Sequence, residues 1–221
     1  MRKFSACQCL TALLLACCAS LPAQAQRGAE QININGEFVM AAKAGRTERA
    51  AALLAQGAAV NSRDRNGDSP LNMAAAKGNE VLADVLLQGG ADVNLANIAG
   101  VTPLMSAAFS GKAGLVRKLI AAGARLDPLD RVKKNAAIYA AGVGCKDCLA
   151  ELLRAGAQVN AQLDNDETLL MWAAGYGHAD TVQFLLEQGA DRGLKDNRGK
   201  TAADIAREGN FTAVSKLLGN T

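Results

Sequence analysis

Leucine returns along this chain on a fixed beat. Leu53, Leu86, Leu119, Leu152 and Leu185 stand 33 residues apart, each followed in the same register by glycine and alanine, from Gly57-Ala58 to Gly189-Ala190. Two further columns keep the step: Ser69, Thr102, Asn135, Thr168 and Thr201, and then Gly45, Gly78, Gly111, Gly144 and Gly177. Three columns of different chemistry on one step mark an internal repeat, which an alanine-rich composition alone does not produce. Within each step the pattern predicts two short helices. Ser69-Pro70-Leu71 opens the first, because a hydroxyl caps free amide groups and proline is tolerated at the first helical position. Met73-Ala74-Ala75 give it a packing face of small residues, and Gly78 ends it by taking positive φ. Val81, Val85, Leu86 and Leu87 fall at helical spacing in the second, which Gly90-Ala91 closes before Asp92-Val93-Asn94 leads outward into a turn. Two helices of about ten residues bury too little surface alone; stacked on like neighbours they share one continuous core.

The phrases Thr102-Pro103-Leu104-Met105-Ser106-Ala107-Ala108 and Thr168-Leu169-Leu170-Met171-Trp172-Ala173-Ala174, on this period, resemble the ankyrin repeat over roughly residues 33–219. The resemblance implies an all-α ankyrin-repeat solenoid of paired antiparallel helices with turn fingers. It counts about six units: a cap at about 31–63, then 64–96, 97–129, 130–162 and 163–195, and a closing cap at 196–221. The last unit reads as one residue short, since Gly209 falls 32 after Gly177. The family's phrase carries a histidine that is absent here, replaced by Asn72, Met105, Ile138, Met171 and Asp204. Apolar packing is expected to replace that polar link in the three middle units. Lys133 and Asp166 stand where Gly67, Gly100 and Gly199 mark the turn, so the loops leading into units four and five are expected to bend differently.

The first residues belong to a different plan. Arg2 and Lys3 precede an apolar run from Leu10 to Cys18, and Ala23-Gln24-Ala25 forms a small-residue cleavage site. That order predicts a signal peptide over residues 1–25, cut before Gln26, with the repeat domain at 26–221 in the periplasm or secreted. Leu14-Leu15-Ala16-Cys17 also looks like a bacterial lipoprotein signal, which would anchor the chain through a lipidated Cys17; this is the one route by which a membrane enters the reading. Without residues 1–25, 22 basic residues face 21 acidic ones, a balance that argues against nucleic acid as a partner. Four of the six cysteines leave with the leader, and Cys145 and Cys148 remain.

Candidate chemistry is sparse. His178, the single histidine, follows Gly177 at the turn between two helices, where the family commonly places histidine, and its structural role outweighs a catalytic one. Asp164, Asp166 and Glu167 read as a solvated turn, lacking the spacing of a calcium loop. No metal or cofactor is expected. Cys145-Lys146-Asp147-Cys148 opens a second helix, where the helix dipole favours a thiolate. A local disulfide or free thiols is the main expectation; a redox-active pair is the alternative, although that motif works from a βαβ setting.

A binding surface is the remaining source of function. The resemblance implies that partners meet the turn fingers and the exposed end of each first helix. Carried onto this chain, those positions hold Ile98, Val101, Phe109, Val132, Val143 and Tyr176 in the middle, flanked by Arg65, Lys77, Arg198 and Lys200. An apolar centre with a charged rim is how protein interfaces are built. Trp172, in contrast, is expected inside the core. The reading is therefore a non-catalytic scaffold for another exported protein, with no small-molecule substrate. Similarity to small exported bacterial ankyrin proteins implies protection or tethering of an enzyme such as catalase. The alternative is an immunity-type inhibitor of a toxin or lytic enzyme.

Overall fold

Each first helix is started by the side chain that stands just before it. In the computed structural model, which describes residues 23–219, the side-chain oxygens of Ser69, Thr102, Asn135, Thr168 and Thr201 accept from the amides of Asn72, Met105, Ile138, Met171 and Asp204. They cap α3 (Pro70–Lys77), α5 (Pro103–Phe109), α7 (Ala136–Gly142), α9 (Leu169–Gly175) and α11 (Ala202–Glu208). The second helices are α2 (Thr47–Ala55), α4 (Glu80–Gln88), α6 (Ala113–Ala121), α8 (Lys146–Arg154), α10 (Ala179–Glu187) and α12 (Thr212–Gly219). The long α1 (Ala23–Ala44) opens the array, which contains no strand among the described residues. The lipoprotein cysteine and nearly all of the expected leader lie outside the described residues; the expected cleavage point falls within the first turn of α1. No described helix is long and apolar enough to cross a membrane.

First helices pack on first helices and second on second, so the core runs the length of the array between two layers. The alanines that allow this approach, among them Ala74, Ala75, Ala107, Ala108, Ala140 and Ala141, have no exposed surface. The second layer contributes Leu86, Leu119, Leu152 and Leu185, also sealed; each such side chain is stabilised by about 1.5–3 kcal/mol on burial. In α4 the inward face is Leu82, Ala83 and Leu86, while Val81 is 65% exposed. The apolar stripe therefore sits one residue later than Val81 suggested, because Asn79 caps the helix and turns its first residues outward.

Adjacent turn fingers are joined by single backbone bonds: Ile98 N–H to Asn66 O, Arg131 N–H to Ala99 O, and Asn197 N–H to Asn165 O. Among the described residues no such bond joins the fingers of units four and five. Lys133 does not change its finger; it takes the left-handed conformation (φ 60°) that Gly67, Gly100 and Gly199 adopt. Only the fifth finger is rebuilt, with Asn165 and Asp166 both at positive φ in a 3-10 turn over Asp164–Asp166. The missing histidine is also not missed everywhere. Asn72 Nδ2 donates to the carbonyls of Leu95 and Val101, keeping a polar link in unit two, while Met105, Ile138 and Met171 are buried. The closing unit keeps the full step. Asn210, 33 after Gly177, holds the left-handed position at φ 59°, and Leu218 fills the place of Leu185. Gly209 is merely the residue before it; asparagine tolerates that backbone and so continues the glycine column.

Candidate functional site

The 33-residue step that stacks the helices also stacks whatever side chains they turn toward the hollow side. Tyr139 on α7 and Trp172 on α9 occupy one register, the column of Met73, Ser106 and Ile205. One turn later the register holds Phe109, then Gly142 and Gly175, whose missing side chains open space. A Cβ on Gly142 would already touch the Trp172 and Tyr176 rings at 3.8 Å. Two hollows result, of about 240 and 250 Å³, and Trp172 and Tyr176 line both. The first lies among Phe109, Lys134, Tyr139, Val143, Trp172 and Tyr176. The second lies beyond the Trp172–Tyr176 stack, among Glu167, Met171, Gly175, Arg198 and Ile205.

The rings are held in fixed relation. Phe109 meets Tyr139 edge-on at 5.8 Å, Trp172 stacks with Tyr176 at 6.0 Å, and Tyr176 continues onto His178 at 6.3 Å. Such pairs contribute about 0.5–1.5 kcal/mol beyond area burial. Tyr139 is fixed further by donating its hydroxyl to Asp130 Oδ2 at 2.5 Å; burial and that carboxylate push the phenol up to about 12. Asp130 also accepts the amides of Val132 and Lys134 at 2.9 Å, so one buried carboxylate ties the fourth finger to α7. Lys134 Nζ lies 4.3 Å from the Trp172 ring centroid; it feels the charge of Glu167, but among the described residues it makes no ion pair. The indole N–H of Trp172 is buried without an acceptor in the protein.

The second hollow is electrostatically closed. Arg198 donates to Asp196 Oδ2 at 2.6 Å, and Lys200 to Glu208 at 2.6 Å. Burial of Asp196 works to raise its pKa, but the amides of Lys200 and Arg198 and the guanidinium together hold it below its ordinary value. Burial raises Glu167 against the attraction of Arg198.

The family model described as "Ankyrin repeats (3 copies)" matches residues 38–130 and 136–221. The chain belongs to the ankyrin-repeat family. A similar solved structure is the crystal structure of EF0377, an ankyrin repeat protein; it is 31% identical with a TM-score of 0.75, over 84% of this chain and 98% of that one. Comparison with curated proteins finds no match.

On this ankyrin array the expected surface residues divide. Phe109 and Tyr176, 61% and 56% exposed, meet Val143 around the first hollow. Ile98 and Val132 stand exposed on the two preceding fingers, and Arg65 and Lys77 lie exposed nearer the first unit. Val101 is instead half-buried, packed against the core with its amide and carbonyl bonded to Asn97 and Asn72. Arg198 and Lys200 are spent on neighbouring carboxylates and form a weaker rim than their charge suggested. Trp172 is not a core residue. The seven-residue α9 buries Met171, Ala173 and Ala174 and turns the indole between them toward the hollow. Tyr139, Trp172 and Lys134 complete the site. The signal for the first two was their shared register with Met73 and Ile205, a column that is apolar or aromatic everywhere except Ser106.

His178 acts between units. A carbonyl only accepts, so its Nε2 carries the proton that bonds Gly142 O at 2.9 Å, while Thr181 Oγ1 bonds Gly144 O at 3.0 Å. Cys145 and Cys148 are bridged at the start of α8, where Cys145 Sγ accepts the Cys148 amide and Cys148 is buried. Among the described residues no three His, Cys, Asp or Glu side chains gather to hold a metal ion.

Proposed function

We propose that this ankyrin-repeat chain is an exported scaffold whose concave face binds another exported protein around Phe109, Tyr139, Trp172 and Tyr176. One observation carries the reading: two large rings stand more than half exposed over a rigid aromatic floor, beside a lysine ammonium that lies over a ring rather than in an ion pair. Burying such rings against a partner is the usual source of binding energy, because aromatic anchors in defined pockets dominate interfaces. Nothing in the packing of the array requires Phe109 or Tyr176 to be aromatic. The leader-like first residues support action in the periplasm or outside the cell, where the scaffold protects its partner or holds it in place.

The test is affinity capture from a periplasmic extract on the immobilised chain, with the captured proteins identified by mass spectrometry. The double variant Phe109→Ala/Tyr176→Ala should keep the helical circular dichroism spectrum of the parent and lose the captured partner. Undiminished capture by that variant removes this face from the function. Mass spectrometry of the exported chain should find Gln26 as its first residue.

A further inference from the structure

We infer that the first hollow selects a segment of the partner in which one acidic side chain adjoins a bulky apolar one. This rests on the binding face proposed above and names the chemistry it reads. Lys134 is the one cation among the residues lining this hollow; its Nζ lies 4.3 Å from the Trp172 ring centroid and 6.0 Å from that of Tyr139, feels the charge of Glu167, and among the described residues makes no ion pair. A cation–π contact of this kind is weak where water reaches it. It leaves the ammonium's hydrogens for an incoming carboxylate, a stronger partner. Arg131 and Lys133 extend from the same finger, both exposed and neither in an ion pair among the described residues. Against these three cations the finger carries only Asp130, whose oxygens are occupied by Tyr139 and two backbone amides.

Lys133 adds an independent observation. It sits at φ 60°, where three other fingers place glycine. A non-glycine residue there is strained, and such strain concentrates where a side chain is used. The fold accepts it, and on this finger alone a cation stands at the left-handed position. Around this cation the walls are Phe109, Tyr139, Val143 and Tyr176, which suit an apolar side chain. The neighbouring finger limits the pattern to one acid. Asp164, Asp166 and Glu167 lie there, and Glu167 lines the second hollow, so a further carboxylate reaching that hollow meets like charge.

Trp172 is the single tryptophan, so its emission reports the hollow directly. The probes are the synthetic peptide acetyl-Gly-Ser-Asp-Phe-Ser-Gly-amide, its analogue with Lys for Asp, its analogue with Ser for Phe, and free laurate. The Asp-Phe peptide should change the emission saturably, and the other three should bind at least tenfold more weakly. Lys134→Gln should weaken the Asp-Phe peptide by about tenfold, the loss of one charge-assisted contact. Lys134→Glu should shift preference to the Lys-Phe peptide, with circular dichroism showing both variants folded. No saturable response to the Asp-Phe peptide, equal binding of the Lys-Phe peptide, or a response to laurate alone overturns the inference. Capture of a protein partner that Phe109→Ala/Tyr176→Ala abolishes and Lys134→Glu leaves intact overturns it while the broader binding reading stands.

Discussion

Gly144 and Gly111 occupy equivalent places at the turn between the helices of their units, and their contrast isolates one contact. Both are left-handed, at φ +73° and +69°, so replacing either with alanine brings the same backbone cost of about 1–2 kcal/mol. At Gly111 a new Cβ meets nothing within 4 Å. At Gly144 it would lie 2.6 Å from His178 Nδ1 and 2.7 Å from Cγ, closer than real atoms approach. The imidazole cannot swing aside freely, because its Nε2 is bonded to Gly142 O at 2.9 Å. Gly144→Ala should therefore also lose that bond, about 0.5–1.5 kcal/mol, with some packing against Tyr176. The expected excess over Gly111→Ala is about 1–2 kcal/mol. With a urea dependence of about 1–3 kcal/mol per molar, it appears as a midpoint lower by roughly 0.5–1 M. In a His178→Ala background the two alanine substitutions should cost the same. Equal midpoints for the single variants, or an excess that survives without His178, refutes the reasoning.

Lys133→Gly should raise stability to urea by about 0.5–1 kcal/mol, the relief of left-handed strain less the entropy glycine adds to the unfolded chain; an unchanged or lower midpoint contradicts a strained finger. Glu151 is held down to about 2 by hydrogen bonds from Arg117 and Arg154. Its folded value lies below its ordinary one, so its contribution is complete above about pH 4.5 and fades as pH falls toward 2. Thermal melts of Glu151→Gln should show a flatter loss of stability across that window than the parent; Asp64, Asp196 and Asp204, also lowered, keep some slope. An unchanged acid limb in Glu151→Gln counts against that pairing.

The fold was legible because its information is redundant: five leucines, five caps and five glycines each state the same period. Errors arose where one backbone state admits several residues. Tracking glycine itself made the last unit look short, although Asn210 holds the same conformation, and it made Lys133 look like a different turn when it is a strained copy. The site was half legible. Phe109 and Tyr176 stood out as large rings at positions the family exposes. Trp172 stands at a first-helix position expected inside, between the buried Met171 and Ala173; in a helix of seven residues, one step round the axis separates core from concave face. Pairings escaped for a different reason. Nothing in a string of letters says that Arg198 bends back to Asp196 or that Lys134 brings its ammonium over an indole of the next unit.

An unbroken register has a consequence for how the array tolerates editing. Because Ser69 and Thr102, Gly78 and Gly111, and Leu86 and Leu119 are interchangeable in role, excising residues 64–96 as a block would seat each surviving surface on a mate of the same kind. The aromatic hollow of units three to five would travel intact on a shorter rod. A cut of 32 or 34 residues would instead leave the helix that carries the junction about 100° out of phase and turn its buried face away from the core. Length is thus a free variable in this molecule, in quanta of one turn-and-two-helices, while phase is not.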